Sequence, residues 1–134
     1  MRFMMLMIPA AKEDKWIPTV EAVGAMTRFN QDMINAGVML TGEGLHPPSE
    51  GARVSFGGPS TSSGRSGVPK VTDGPFAEAK EVVGGFWMIQ AKSKAEAVEW
   101  ARRCPAAPGD IIEIREIFEM SDFPEDVQKA AGRK

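Results

Sequence analysis

Two stretches of this chain repeat one order of signals, strand then helix then strand, and that order restricts the fold more than any other feature. In the first stretch, Arg2 to Ile8 (RFMMLMI) is a strand ended by Pro9 and apolar at every position after Arg2. Such a run predicts protein on both of its faces. Thr19 can cap a helix reaching about Ala36, in which Ala22, Met26, Phe29, Met33 and Ala36 fall on one face. Gly37 suits the stop, because helices often end on a residue at positive φ. Val38 to Leu45 returns as a strand whose Gly42 and Gly44 permit a bulge or a close backbone approach.

In the second stretch, Gly84 to Gln90 is again a strand with an apolar run. Ser93-Lys-Ala-Glu96 has the spacing of a capping box, opening a helix that Pro105 ends. Ile111 to Phe118 is the last main strand, with Glu113 and Arg115 on one face and Ile112 and Ile114 on the other. Between the two stretches, His46-Pro-Pro forces the chain out of its strand, since proline donates no amide hydrogen. Ala52 to Phe56 and Val68 to Thr72 are short strands, and Gly57 to Gly67 is a flexible hairpin loop rich in turn formers. The residues after Ser121 form a polar tail, either a short helix after Pro124 or a segment trailing along a partner.

Two β-α-β units of this kind predict an α+β, ferredoxin-like antiparallel sheet, with an extra small hairpin and both helices on one face. The other face is then bare, yet the strands at Arg2–Ile8 and Gly84–Gln90 are apolar on both sides. A second copy of the chain is the simplest cover, so a homodimer with facing sheets is expected.

Composition narrows the function classes. A net charge of -2 with scattered basic residues gives no surface for gripping nucleic acid. The longest apolar run, Met4 to Ala11, is broken by Pro9 and far too short for a bilayer, and no signal-peptide pattern follows it. The single cysteine, Cys104, excludes an internal disulfide and suits a reducing, cytoplasmic setting, where it reads as a small buried hydrophobe.

The candidate chemical groups are few. His46 is the sole histidine, rigidly placed before two prolines, and reads either as a general acid or base or as a surface residue. Further His or Cys ligands for zinc are absent from the sequence, and no cofactor fingerprint is present, so neither metal nor cofactor is expected. Asp73-Gly-Pro-Phe76 has the mechanics of a turn, and Asp73 is also a candidate catalytic carboxylate. Glu43, Glu113 and Arg115 sit in strands expected to be covered, where charges need partners. They form either an ion pair at a dimer seam or a site in which Arg115 holds a small anionic ligand and a glutamate accepts a proton.

The string Thr72-Asp-Gly-Pro-Phe-Ala-Glu-Ala-Lys-Glu81, with Gly84-Gly85, Gly42-Glu-Gly-Leu-His-Pro47 and Glu113-Ile-Arg115, resembles the DGPF signature grouped with YCII-related domains. The resemblance covers residues 1–120 and leaves 121–134 as the tail. It implies a dimeric α+β barrel, and an association of some relatives with sigma factors of the extracytoplasmic type. It also implies that the YCII branch is enzymatic through a histidine and an aspartate, the histidine lying in the first helix. Here that helix holds no histidine. Two functions follow as expectations: a small cofactor-free enzyme using acid/base chemistry, with His46 and Asp73 catalytic and Glu43, Glu113 and Arg115 binding substrate, or a non-catalytic ligand-binding or regulatory module.

Overall fold

A computed structural model of the chain describes residues 1–12, 15–57, 68–75 and 82–132. The elements run β1 (Arg2–Ile8), α1 (Val20–Asn35), β2 (Met39–Gly44), a 3₁₀ turn (Pro48–Glu50), β3 (Ala52–Ser55), β4 (Lys70–Asp73), β5 (Gly85–Gln90), α2 (Lys94–Arg102), β6 (Ile111–Glu116), a second 3₁₀ turn (Met120–Asp122) and α3 (Glu125–Ala130). Four strands form one sheet in the order β2-β5-β1-β6 with every pairing antiparallel, while β3 and β4 pair as a separate hairpin. This is the interleaved order of two β-α-β units, as the signals along the sequence require.

Local chemistry sets the helix ends. The Thr19 hydroxyl accepts from the amide of Ala22 at 3.1 Å, and Gly37 leaves the helix at φ 72°. The Ser93 hydroxyl accepts from the amide of Glu96 at 3.2 Å, as a cap should. The tail after Pro124 does form a short helix, α3.

Strand register sorts side chains onto two faces. Phe3, Met5, Trp87 and Ile89 meet Phe29 and Met33 of α1 and Ala97 of α2, so both helices cover the same face. Phe3, Met5, Met33 and Ile89 are enclosed completely, and such burial is worth roughly 1.5–3 kcal/mol for each side chain. The apolar stripe on α1 is buried over a shorter length than its spacing predicts. Phe29 and Met33 are buried and Met26 half-buried, whereas Ala22 and Ala36, at the ends of the element, are exposed.

The opposite face carries two cross-strand rows. Glu43, Phe86, Leu6 and Glu113 make one; Thr41, Met88, Met4 and Arg115 make the other. Its centre is apolar and its two edges are polar or charged. The register shift in β2 falls between Met39 and Thr41, ahead of the glycines. Gly42 instead permits close approach, since a Cβ there would lie 2.8 Å from Cδ1 of Trp87. Most of the loop expected at Gly57–Gly67, and the stretch from Phe76 to Glu81, lie outside the described residues. Among the described residues, no helix is long and apolar enough to cross a membrane.

Candidate functional site: a cleft beside the edge strand β2

The edge strand β2 borders two adjoining pockets that share Gly44. The smaller, about 220 Å³, lies between α1 and the sheet, with Met26, Asn30, Gly42, Glu43, Phe86 and Trp87 in its walls. Its geometry is set by Trp87, whose indole Nε1 donates to Oδ1 of Asn30 at 2.9 Å. Phe29 meets the same indole edge-on, with ring centroids 5.9 Å apart. These contacts lock the wall of the pocket, and the approach permitted by Gly42 lets the indole sit flush against β2.

The larger pocket, about 550 Å³, is lined by Trp16, Ile17, Leu45, His46 and Glu50 among others. Trp16 is anchored through its indole Nε1, which donates to the carbonyl of Ala11 at 3.0 Å. Nδ1 of His46 lies 3.2 Å from Oε1 of Glu50, and the imidazole is 85% exposed. The prolines after His46 start a 3₁₀ turn, Pro48–Glu50, and that turn carries the glutamate back to the imidazole.

The five residues singled out in the sequence fall into three places. Glu43 and His46 flank the shared Gly44 at the end of β2, one in each pocket. Asp73 ends β4 opposite Ala52. The next residue, Gly74, donates its amide to the carbonyl of Gly51 at 2.9 Å and packs on the backbone of Pro48, which ties this turn to the segment carrying His46 and Glu50. Glu113 and Arg115 form a 3.4 Å ion pair on β6, where both are exposed. That is the far edge of the sheet, three strand spacings or roughly 14 Å from β2.

The structure also brings in residues that the sequence did not single out. Asn30 and Glu50 act as acceptors within the cleft, and Arg2 clasps Glu119 with two hydrogen bonds of 2.8 and 3.0 Å. Glu50 stands four residues after His46, a usable signal that the intervening prolines disguise. Cys104 is half-buried, and burial, with the nearby charge of Asp110 second, pushes its thiol up to about 11. The thiol is held in its neutral form and packs against the core cluster.

The fold and cleft together define a small α+β domain with a helix-covered sheet and an edge-strand pocket walled by Met26, Asn30 and Trp87. The YCII-related domain family matches residues 1–121, and the chain belongs to that family. No curated protein matches it.

Proposed function

We propose that the protein is a small cofactor-free enzyme that moves protons in the cleft beside β2 and works as a homodimer. The observation that carries this reading is the meeting of Glu43 and the His46–Glu50 pair at two pockets that share Gly44. Glu43, whose cross-strand neighbour on the uncovered sheet face is Phe86, is the proton acceptor. His46, oriented by Glu50 and open to water, exchanges the proton with solvent. Arg115 is the group for an anionic substrate, and because β6 lies at the opposite sheet edge, it serves this cleft only from a second copy.

The dimer follows from the uncovered sheet face. Met4, Leu6, Phe86 and Met88 form an apolar centre between charged edges, the pattern of an interface core and its rim. Burying such a surface yields about 25 cal/mol per Å². Facing sheets in this arrangement make the dimeric α+β barrel.

Proton transfer is tested by incubating the protein in D₂O with a panel of small carbon acids and following loss of their C–H signals by NMR. Glu43→Gln is expected to slow exchange by about 10² to 10⁴. Exchange that Glu43→Gln leaves unchanged removes Glu43 from the chemistry. Light scattering tests the assembly: the 14.5 kDa chain is expected to run at about twice that mass.

A second reading, a non-catalytic ligand-binding or regulatory module, has one observation in its favour: the imidazole of His46 is 85% exposed, a poor setting for a tuned catalyst. Its partner would be a sigma factor of the extracytoplasmic type. Co-purification with such a factor, unaltered by His46→Ala and Asp73→Ala, would favour this reading over the first.

A further inference from the structure

The bond between Trp87 and Asn30 leaves a pair of donors unused in the smaller pocket. An indole N–H can only donate, so it fixes Oδ1 of Asn30 against the indole and turns Nδ2 away from it. No described residue accepts from Nδ2, and no polar side-chain atom among the described residues is sealed without a partner. Its two N–H groups are therefore open, on a side chain that lines the 220 Å³ pocket. The walls around it include the thioethers of Met7 and Met26, the Trp87 indole and bare glycine backbone. The one charged residue among them is Glu43, an acid on the strand face opposite to Gly42 and Gly44. A carboxylate meets no cation here, whereas an uncharged carbonyl oxygen meets a donor of fixed orientation.

Gly44 decides how far such a ligand can extend. Neither space nor backbone demands a glycine at this position, since a Cβ would meet nothing within 4 Å and the residue is not at positive φ. What the missing side chain leaves open is the place where the two pockets join. Trp16, from the wall of the wider pocket, reaches the same place: a Cβ on Gly84 would come within 3.7 Å of its Cη2. The smaller pocket falls below the roughly 300–1,000 Å³ of common ligand sites, so it takes one end of a ligand. The wider pocket, with Trp16, Ile17 and Leu45, takes the rest.

We infer that the cleft binds a flat, apolar carbonyl compound whose oxygen accepts from Nδ2 of Asn30. The body of the ligand lies against Trp87 and runs past Gly44 towards Trp16. Asn30 then sets the specificity of the cleft: its Oδ1 is spent on the indole, and only its donor half faces the ligand. This names the substrate class of the cleft and rests on the function proposed above for the chemistry that follows binding. Binding itself needs no proton transfer, so the two can fail separately.

Two probes are titrated against the protein while the indole N–H signals of its three tryptophans are followed by NMR. Acetophenone carries a carbonyl acceptor; benzylamine, a cation at neutral pH, offers only donors. Acetophenone is expected to bind more tightly and to shift the Trp87 signal. Asn30→Asp keeps the acceptor for the indole but replaces the donor with a charge. It is expected to lose about tenfold in affinity for acetophenone and to gain about tenfold for benzylamine, an exchange that a merely structural role would not produce. Gly44→Val, which fills the junction, is expected to weaken both probes by about tenfold or more. Acetophenone that leaves the Trp87 signal unmoved, or binds Asn30→Asp as it binds the natural chain, overturns the inference. If that happens while Glu43→Gln still slows proton exchange, the proposed enzyme stands without this ligand class. The expected exchange of probe preference, in a protein that shows no proton exchange, upholds the site and removes the enzyme.

Discussion

The indole of Trp87 and the side chain of Asn30 are joined by a 2.9 Å hydrogen bond that ties β5 to α1 across the wall of the cleft. Trp87 is almost wholly buried, so its N–H has no ready access to replacement water. Asn30→Leu keeps the volume and removes the acceptor, and a stranded buried donor costs about 1–3 kcal/mol. Urea unfolding is expected to show that loss, and Asn30→Asp, which keeps an acceptor, is expected to recover much of it. A midpoint unchanged by Asn30→Leu would mean that the bond contributes nothing net.

Gly74 has no room for a side chain. A Cβ at this position would overlap the carbonyl oxygen of Pro48, and that oxygen is backbone that cannot rotate aside. Gly74→Ala is therefore expected to pull the turn after β4 away from the Pro48–Glu50 segment. Because that segment holds the His46–Glu50 pair, the NMR signals of His46 should shift along with those of the hairpin. Gly44→Ala, where a Cβ meets open space, is the control expected to leave both in place.

What the sequence revealed and what it hid divide along the range of the interactions. Thr19, Ser93 and Gly37 act within a turn of their own helices, so composition and spacing exposed them. The alternation in β6 that put Glu113 and Arg115 on one face and Ile112 and Ile114 on the other is likewise a property of the local backbone. Asn30 and Trp87 stand 57 residues apart, and Arg2 and Glu119 stand 117 apart, so only the assembled sheet introduces them. The expectation that Glu43, Glu113 and Arg115 lie in covered strands concerns the assembly; in the single chain all three are exposed. The pair His46–Glu50 was within reach of inspection, but a proline pair read as a chain break concealed a 3₁₀ turn.

Arg2 donates through Nε and Nη2 to the two carboxylate oxygens of Glu119, holding the start of β1 to the segment before the second 3₁₀ turn. This hydrogen bonding, with the guanidinium charge adding to it, keeps the Glu119 carboxyl below its ordinary value of 4.5. The folded chain thus favours the ionised form. The resulting stability is present above pH 4.5 and is lost as pH falls through the lower folded value. Both side chains are well exposed, so the effect is small and salt-sensitive. Glu119→Gln is expected to flatten the acid limb of a stability–pH curve and to leave the neutral region nearly unchanged. An acid limb of unaltered slope would show that the clasp does not form in solution.

Cys104 offers a prediction at the other end of the pH scale. Its thiol sits at about 11, against an ordinary 9.0, because burial disfavours the thiolate and Asp110 adds like charge. At pH 8 the native thiolate fraction is then about one in a thousand, against about one in ten for the unfolded chain. Iodoacetamide should therefore label the native protein about a hundredfold more slowly than the urea-unfolded protein, before restricted access slows it further. The linkage has a definite sign, since the raised folded value means that the neutral thiol favours the native state. That contribution is complete below pH 9 and drains away as pH rises from 9 to 11. Cys104→Ala should lose this alkaline dependence while paying a packing cost at all pH values, so the two effects separate on one stability–pH curve. Equal labelling rates in native and unfolded protein would place the thiol in water and remove both expectations.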